Sequence, residues 1–508
     1  MSFKEMMIKG DKEENNMTET WNGALSYVST LDSLVDLFYK GMRNADWNAM
    51  CNLLESGYGE DKLLSAKMIA YIRDVRGGKG ERDLGRKLLE KMGKIDMEIF
   101  KKNIEHYIAT YGRWDDGMEM SDPELKSIYL DLVVRQLKKD KEELDAKGEK
   151  AQISLCAKWV PSEGKSLDKA YGIHKLLTKK MGMNSADIRK IYLAPLRKHL
   201  DLVETKLVKK DYEHIDYEKV PSRTMHIHGK EKNKRGRENA FLRNDKERFE
   251  EYKSKLAEGK AKVNAKTLYP HEVMETYFDG HHPKTHTPDE LVEAQWRVME
   301  EEVKKLGKLG RTLVLSDVSG SMSGLPMQIS VAMGILISSC CEVEEFKDVI
   351  ISFHEDPKFH DIKGANLLEK IKSILATPWG GSTNFQKVFD MILERAQKYK
   401  ISEDQMPERI IVISDMQFNV AAGNKKTNFQ ALDEKYIKAG YKRPQMIFWN
   451  VNGRIGDVPV TADMANTGLI SGYSPSIMKA VLKGQNMSPK EVMIEALTDS
   501  RYDLIELP

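Results

Sequence analysis

The chain has 508 residues, enough for two to four ordinary domains. Its 41% hydrophobic and 31% charged residues make a soluble globular balance with long solvated helices. Lys and Arg total 80 against 78 for Asp and Glu, so net charge alone points to no polyanion partner, and local clusters have to carry any nucleic-acid contact.

The start, MSFKEMMIKGDKEENN, is polar and lacks the apolar core of a secretory signal. Residues 1–20 are expected to be a disordered head. From about Asn22 the pattern turns helical: ALSYVSTLDSLVDLFYKGM, DKLLSAKMIAYIRDV, DLGRKLLEKM and MEIFKKNIEHYIATYG carry apolar residues three and four apart. Glycine-bearing turns such as Arg76-Gly77-Gly78-Lys79-Gly80 separate them. Short antiparallel helix pairs of this kind predict an all-α solenoid of HEAT type over 21–300. A basic, irregular insert interrupts it at about 222–240. No run approaches the ~18 apolar residues of a membrane span.

From Arg311 the grammar changes. Thr312–Leu315, Val349–Phe353, Ile410–Ile413, Met446–Trp449 and, more weakly, Leu469–Ile470 read as strands, with helical patterns between them. Buried strands alternating with helices predict an α/β doubly wound domain over 306–508, with ligands at the carboxyl ends of its strands.

Those ends carry the chemistry. The first strand gives out into Asp317-Val318-Ser319-Gly320-Ser321, a carboxylate followed by hydroxyls at alternate positions. Trp379-Gly380-Gly381-Ser382-Thr383 offers a Thr hydroxyl after a glycine pair. The strand Ile410–Ile413 runs on into Ser414-Asp415. Asp317, Ser319, Ser321, Thr383 and Asp415 together make an all-oxygen shell, which suits a hard divalent cation: Mg²⁺ first, with Mn²⁺ or Ca²⁺ as alternatives. This order of residues resembles the metal-ion-dependent adhesion site of von Willebrand factor A (vWA) domains. The resemblance implies a Rossmann-like fold, direct ligation by both Ser and often the Thr, Asp residues acting largely through water, and an open position that takes an acidic group from a protein partner.

The helical part carries a second resemblance. LSYVSTLDSLVDLFYKG, IAYIRDVRGGKGERDLGRKLL and YGRWDD are similar to the TROVE module of Ro-type RNA-binding proteins. They are closer still to a group, found in plants and large DNA viruses, that joins a TROVE-like region to a vWA domain. The phrases Cys156–Ser162, Ala194–Lys198, Val220–Ser222 and SGYSPSIMKAVLKG belong to that resemblance. It implies recognition of small structured or misfolded RNAs. The basic residues available for this are Arg73, Arg76, Lys79 and Arg82 around the glycine turn; Arg189, Lys190, Arg197 and Lys198; and Lys232, Lys234, Arg235 and Arg237 in the insert. Solvated helix faces are the plain alternative for each cluster, because acids are interleaved.

Other signals lead nowhere. Gly164-Lys165-Ser166 lacks the earlier Gly of a phosphate-binding loop, since Trp159 stands in its place. His226, His228, His271, His281, His282 and His286 match no zinc spacing and read as surface histidines. Cys51, Cys156, Cys340 and Cys341 form no CxxC pair, so an intracellular, cytoplasmic setting is expected, without membrane attachment. No nucleophile–base arrangement is present. The expectation is a non-enzymatic binding protein, either for RNA with a metal-held protein partner, or as a metal-dependent protein scaffold with no RNA role.

Overall fold

The computed structural model describes residues 15–230, 238–278, 282–353, 357–376, 384–419, 427–454, 456–483 and 487–508. A helical N-terminal region precedes a C-terminal domain built on a six-stranded, mostly parallel sheet. The chain forms two compact units that divide it differently from a cut near residue 300. One holds residues up to Asp46 and Tyr217–Thr498; the other holds Trp47–Asp216 and Asp499–Pro508.

The first unit contains all the strands among the described residues: β1 (Met17–Glu19), β2 (Leu25–Tyr27), β3 (Thr312–Asp317), β4 (Val349–Phe353), β5 (Lys358–Asp361), β6 (Arg409–Ser414), β7 (Gln445–Asn450) and β8 (Thr467–Ser471). The large sheet runs β5-β4-β3-β6-β7-β8, parallel except for β5 against β4. β3, β6, β7 and β8 are buried along their whole length, because apolar side chains point to both faces and helices cover both. On one face Leu313, Leu315, Ile410, Val412, Met446, Phe448 and Leu469 pack with Phe385 and Phe389 of the helix Phe385–Lys398, and with Phe429 and Leu432 of the helix Asn428–Ala439. Each such aromatic or aliphatic side chain contributes roughly 1.5–3 kcal/mol by leaving water. On the other face lies the helix Leu325–Ser339, pressed close: a Cβ on Gly334 would stand 2.2 Å from Ser316 Oγ. The helix Glu290–Leu306 belongs to this unit too. Its Glu293 carboxylate accepts from Leu367 N at 2.9 Å and Leu368 N at 3.3 Å, satisfying the start of the helix Leu367–Leu375.

Two expectations are corrected here. Within the expected disordered head, Met17–Glu19 is a strand paired antiparallel with β2, while residues 1–14 lie outside the described residues. Within the expected irregular insert, Ser222–Gly229 is a helix, and 231–237 lie outside the described residues.

The second unit packs helices in sequence: Trp47–Glu60, Lys62–Arg73, Arg82–Ile95, Met97–Glu105 and the long Pro123–Lys147, with shorter helices to Val203–Lys209. Aspartates start three of them. Asp61 accepts from Leu64 N at 2.8 Å, Asp96 from Ile99 N at 3.0 Å, and Asp122, ahead of Pro123, from Glu124 N at 2.9 Å. No helix among the described residues is long and apolar enough to cross a membrane.

Candidate metal centre

In the parallel register Ser316 lies opposite Ile413, so the next residues, Asp317 and Ser414, leave the sheet side by side. β3 and β6 sit where the strand order reverses, with β4 leading away on one side and β7 on the other. The crevice at the carboxyl ends of such a pair is where open α/β sheets place their ligands. Asp317 is fully buried. Its Oδ1 accepts from Ser319 N at 2.9 Å and its Oδ2 from Ser414 Oγ at 2.5 Å. The turn Gly320–Met322 then carries Ser321 back, so that its Oγ lies 3.2 Å from that of Ser319. Asp415, 1% exposed, accepts from Gln417 N at 3.2 Å and from the Ser321 hydroxyl. Between Asp415 and Gln417, Met416 takes a left-handed backbone (φ 64°), an uncommon conformation for a residue with a long side chain.

Four of the five sequence-predicted ligands are therefore brought together on two adjoining loops. The fifth, Thr383, lies with Trp379–Ser382 outside the described residues. Described structure resumes at Asn384, which caps the helix Phe385–Lys398.

The electrostatics test the site's fit to a cation. Burial, and then the neighbouring charge of Asp415, push the Asp317 carboxyl above the usual carboxylate range. Burial raises Asp415 as well, against the pull of Gln417 N–H and Ser321. Among the described residues, no basic side chain pairs with either. Among the described residues, these two buried carboxylates flanked by hydroxyls have no positive charge at close range, and a divalent ion would supply one.

The structure adds groups that the sequence pattern omits. Burial raises the carboxyl of Asp457, in the loop after β7, and its charge bears on Asp415. Its Oδ1 accepts from Gln417 Nε2 at 3.2 Å, while its buried Oδ2 has no hydrogen-bond partner among the described residues. The β1–β2 hairpin braces the same loop. Thr20 Oγ1 donates to Phe418 O (2.8 Å), Trp21 N to Gln417 Oε1 (2.6 Å) and Asn22 Nδ2 to Gln417 O (2.7 Å). Neither feature has a local signal. Asp457 is a lone acid in a glycine-bearing loop, and the hairpin lies far away in sequence.

Comparison with known proteins places the chain. A model described as Domain of unknown function (DUF2828) matches residues 20–89 and 120–309, just over half of the chain. The chain belongs to the DUF2828 family. A second model, Domain of unknown function (DUF7788), matches 311–503, which takes in the large sheet and every candidate ligand. The DUF2828 chain is also 29% identical, over 506 residues, to a protein of Acanthamoeba polyphaga mimivirus that bears the name of an uncharacterized protein. The match spans 95% of this chain and 87% of that one.

The basic candidates of this DUF2828 chain are divided by burial. Arg73 is 9% exposed, and its Nε donates to Asp116 Oδ2 at 2.7 Å. Arg86, which sequence reasoning did not single out, shares Asp116 at 2.8 Å and also pairs with Asp115 at 2.9 Å. Lys79 is fully buried, and burial pushes its ammonium down to about 7. Burial withdraws Arg73 and Lys79 from any surface that meets a phosphate backbone. Arg197 is half-buried and donates to Ala157 O (2.8 Å), Val160 O (2.5 Å) and Ser162 Oγ (3.1 Å). Arg76, Arg189, Lys190 and Lys198 are exposed, as is Arg82, which pairs with Asp83 at 2.9 Å. Lys232, Lys234, Arg235 and Arg237 lie outside the described residues.

The histidines correct an expectation. His226 and His271 are buried rather than on the surface, and burial pushes both down to about 3.

Proposed function

We propose that this chain is a non-enzymatic binding protein whose sheet unit is a vWA-type module. It holds a divalent cation, Mg²⁺ by hardness and abundance, and uses the ion's open position to take an acidic group from a protein partner. The observation that carries this reading is the pair Asp317 and Asp415, both buried at the ends of the neighbouring strands at the switch point, with Ser319 bonded to Asp317, Ser321 bonded to Asp415 and no basic partner to either among the described residues. In this reading Ser319, Ser321 and Thr383 ligate directly, Asp317 and Asp415 supply the charge, and Ser414 and Ser319 N–H hold Asp317 in place. The test is the melting temperature of the intact chain across a Mg²⁺ series, beside Asp317→Ala. Stabilisation by Mg²⁺ is expected in the parent and lost in the variant. The same shift in both sinks the assignment.

A second reading concerns the helical unit, which we take as a TROVE-like, HEAT-type module of an intracellular ribonucleoprotein resembling Ro-type proteins. The observation that favours it is the exposure of Arg189, Lys190 and Lys198 along one short stretch of helical turns. Each cation that meets a phosphate adds a salt-dependent contribution. Fluorescence anisotropy with a structured RNA bearing a single-stranded 3′ tail, over a salt series, decides it. Binding that weakens steeply with salt supports RNA recognition. No binding at low salt leaves the metal-dependent protein scaffold.

A further inference from the structure

The glycine turn Arg76–Gly80 reads in the sequence as a cradle for phosphate. In the helical unit it receives the segment Asp499–Pro508, which returns to this unit after Tyr217–Thr498 of the sheet unit has intervened. Arg501 forms a two-pronged ion pair with Asp74, Nη2 standing 2.9 Å from Oδ1. Asp74, 1% exposed, also accepts from Arg76 N at 2.9 Å and Gly77 N at 3.2 Å, so the turn itself aims the carboxylate. The Tyr502 ring is buried, edge-on to Tyr71 at 5.9 Å and tilted against Tyr111 at 5.4 Å. Ile505 is the other buried side chain; Asp503, Leu504, Glu506, Leu507 and Pro508 are exposed.

Lys67 and Lys102 add ion pairs to Asp503 (3.3 Å) and Glu506 (3.2 Å), Tyr502 Oη donates to Asp74 Oδ2 at 3.3 Å, and further bonds read the backbone of the segment. Tyr111 Oη donates to Arg501 O at 2.6 Å. The buried Asn103 amide clamps one residue from both sides, donating to Glu506 O at 2.8 Å and accepting from Glu506 N at 3.0 Å. The glycines explain themselves on the same surface. A Cβ on Gly77 would meet Arg501 Cδ at 2.5 Å, and one on Gly78 would stand 2.0 Å from Tyr71 O and 3.1 Å from Tyr502 Oη. A main-chain clamp, a charged anchor and an aromatic slot in one notch are the parts of a peptide-recognition site.

We propose that the notch formed by Tyr71, Asp74, Gly77, Asn103 and Tyr111 is a peptide-binding site for the pattern Arg-Tyr-x-x-Ile, filled in cis by Asp499–Pro508 and able to take the same segment in trans from a second copy of this chain. Its ligand is a short basic–aromatic peptide, which also accounts for the glycines of the turn.

The test uses the full-length chain with Arg501→Ala and Tyr502→Ala, so that its own segment no longer competes, and a labelled synthetic peptide of residues 499–508. Saturable binding to the variant chain is expected. Binding to the intact chain should be far weaker, because its own segment competes at an effective concentration on the order of mM. A peptide carrying both alanines should bind about tenfold more weakly or worse. The proposal is overturned if the variant chain keeps its circular dichroism and does not bind, or if the altered peptide binds equally well. It is overturned too if the variant does not fold, since the segment is then an inseparable piece of the core.

Discussion

The two units bury charge in opposite ways. In the helical unit a closed network pairs buried ions of opposite sign: Arg73 and Arg86 share Asp116, Arg86 and Arg113 pair with Asp115, and Arg501 holds Asp74. Against the effect of burial, Arg113 and then Arg86 keep the Asp115 carboxyl below the usual carboxylate range. In the sheet unit, Asp317 and Asp415 are buried together with no such partner among the described residues, and both carboxyls are pushed up. A closed network is a structural device. Uncompensated like charges at a strand crevice are a place for a ligand.

The comparison breaks most visibly if the closed network is opened. Asp116→Ala leaves Arg73 and Arg86 short of a carboxylate in the interior, and should cost about 3–5 kcal/mol. Hydrogen exchange should show the loss in Lys62–Arg73 and Arg82–Ile95 and spare β3 and β6. Equal loss in both units would mean that they do not unfold separately.

The open pair should respond to an added ion instead. At a Mg²⁺ concentration one hundred times its Kd, the sheet unit should gain about 2.7 kcal/mol. Asp317→Asn should remove that gain. In chelator the same variant should be no less stable than the parent, because it deletes a repulsive charge. Urea melts with and without Mg²⁺ measure both.

A smaller contrast lies in pH. His226 and His271 in the sheet unit are held near 3, below their unfolded value of about 6.5. The unfolded chain binds the extra protons, so this contribution is complete above about 6.5 and is lost as pH falls toward 3. Lys79 in the helical unit sits near 7 against about 10.4 unfolded, so its contribution is complete only above about 10.4 and declines as pH falls to 7. Acid should therefore loosen the sheet unit between pH 6.5 and 4, and His226→Gln should flatten that slope. Lys79→Met should remove a rise in helical-unit stability between pH 7 and 10. Stability melts of the variants at stepped pH check each sign.

The smallest expected effect is on stability at the exposed cations. Lys190→Ala and Lys198→Ala should stay within about 0.5 kcal/mol of the parent. If RNA is the ligand, each should lower the salt slope of binding by about 1. An unchanged slope assigns the second unit to other partners.

Much of the sheet was legible. β3, β4, β6, β7 and β8 announce themselves because strands covered on both faces are nearly all apolar, and their Asp-terminated ends mark a site without any knowledge of packing. β5 escaped because Lys358–Asp361 is a partly exposed edge strand with no apolar signature. β1 and β2 escaped because each is short and finds its place against loops almost the whole chain away. The basic residues misled for a physical reason. Arg73 and Lys79 look like surface charge by type, and nothing adjacent to Arg73 reveals that Asp116 will neutralise it.

The sequence by itself determined the α then α/β order and the pairing of Asp317, Ser319, Ser321 and Asp415 at strand ends, since periodicity and residue chemistry are local properties. Tertiary structure alone decided the rest: that Asp457 and the β1–β2 hairpin stand beside the loop that follows Asp415, that Arg73 and Lys79 are interior, and that Gly77 and Gly78 make room for Arg501 and Tyr502. These depend on which distant segments meet, and burial, which sets the cost of a charge and the room for a Cβ, exists only once they have met.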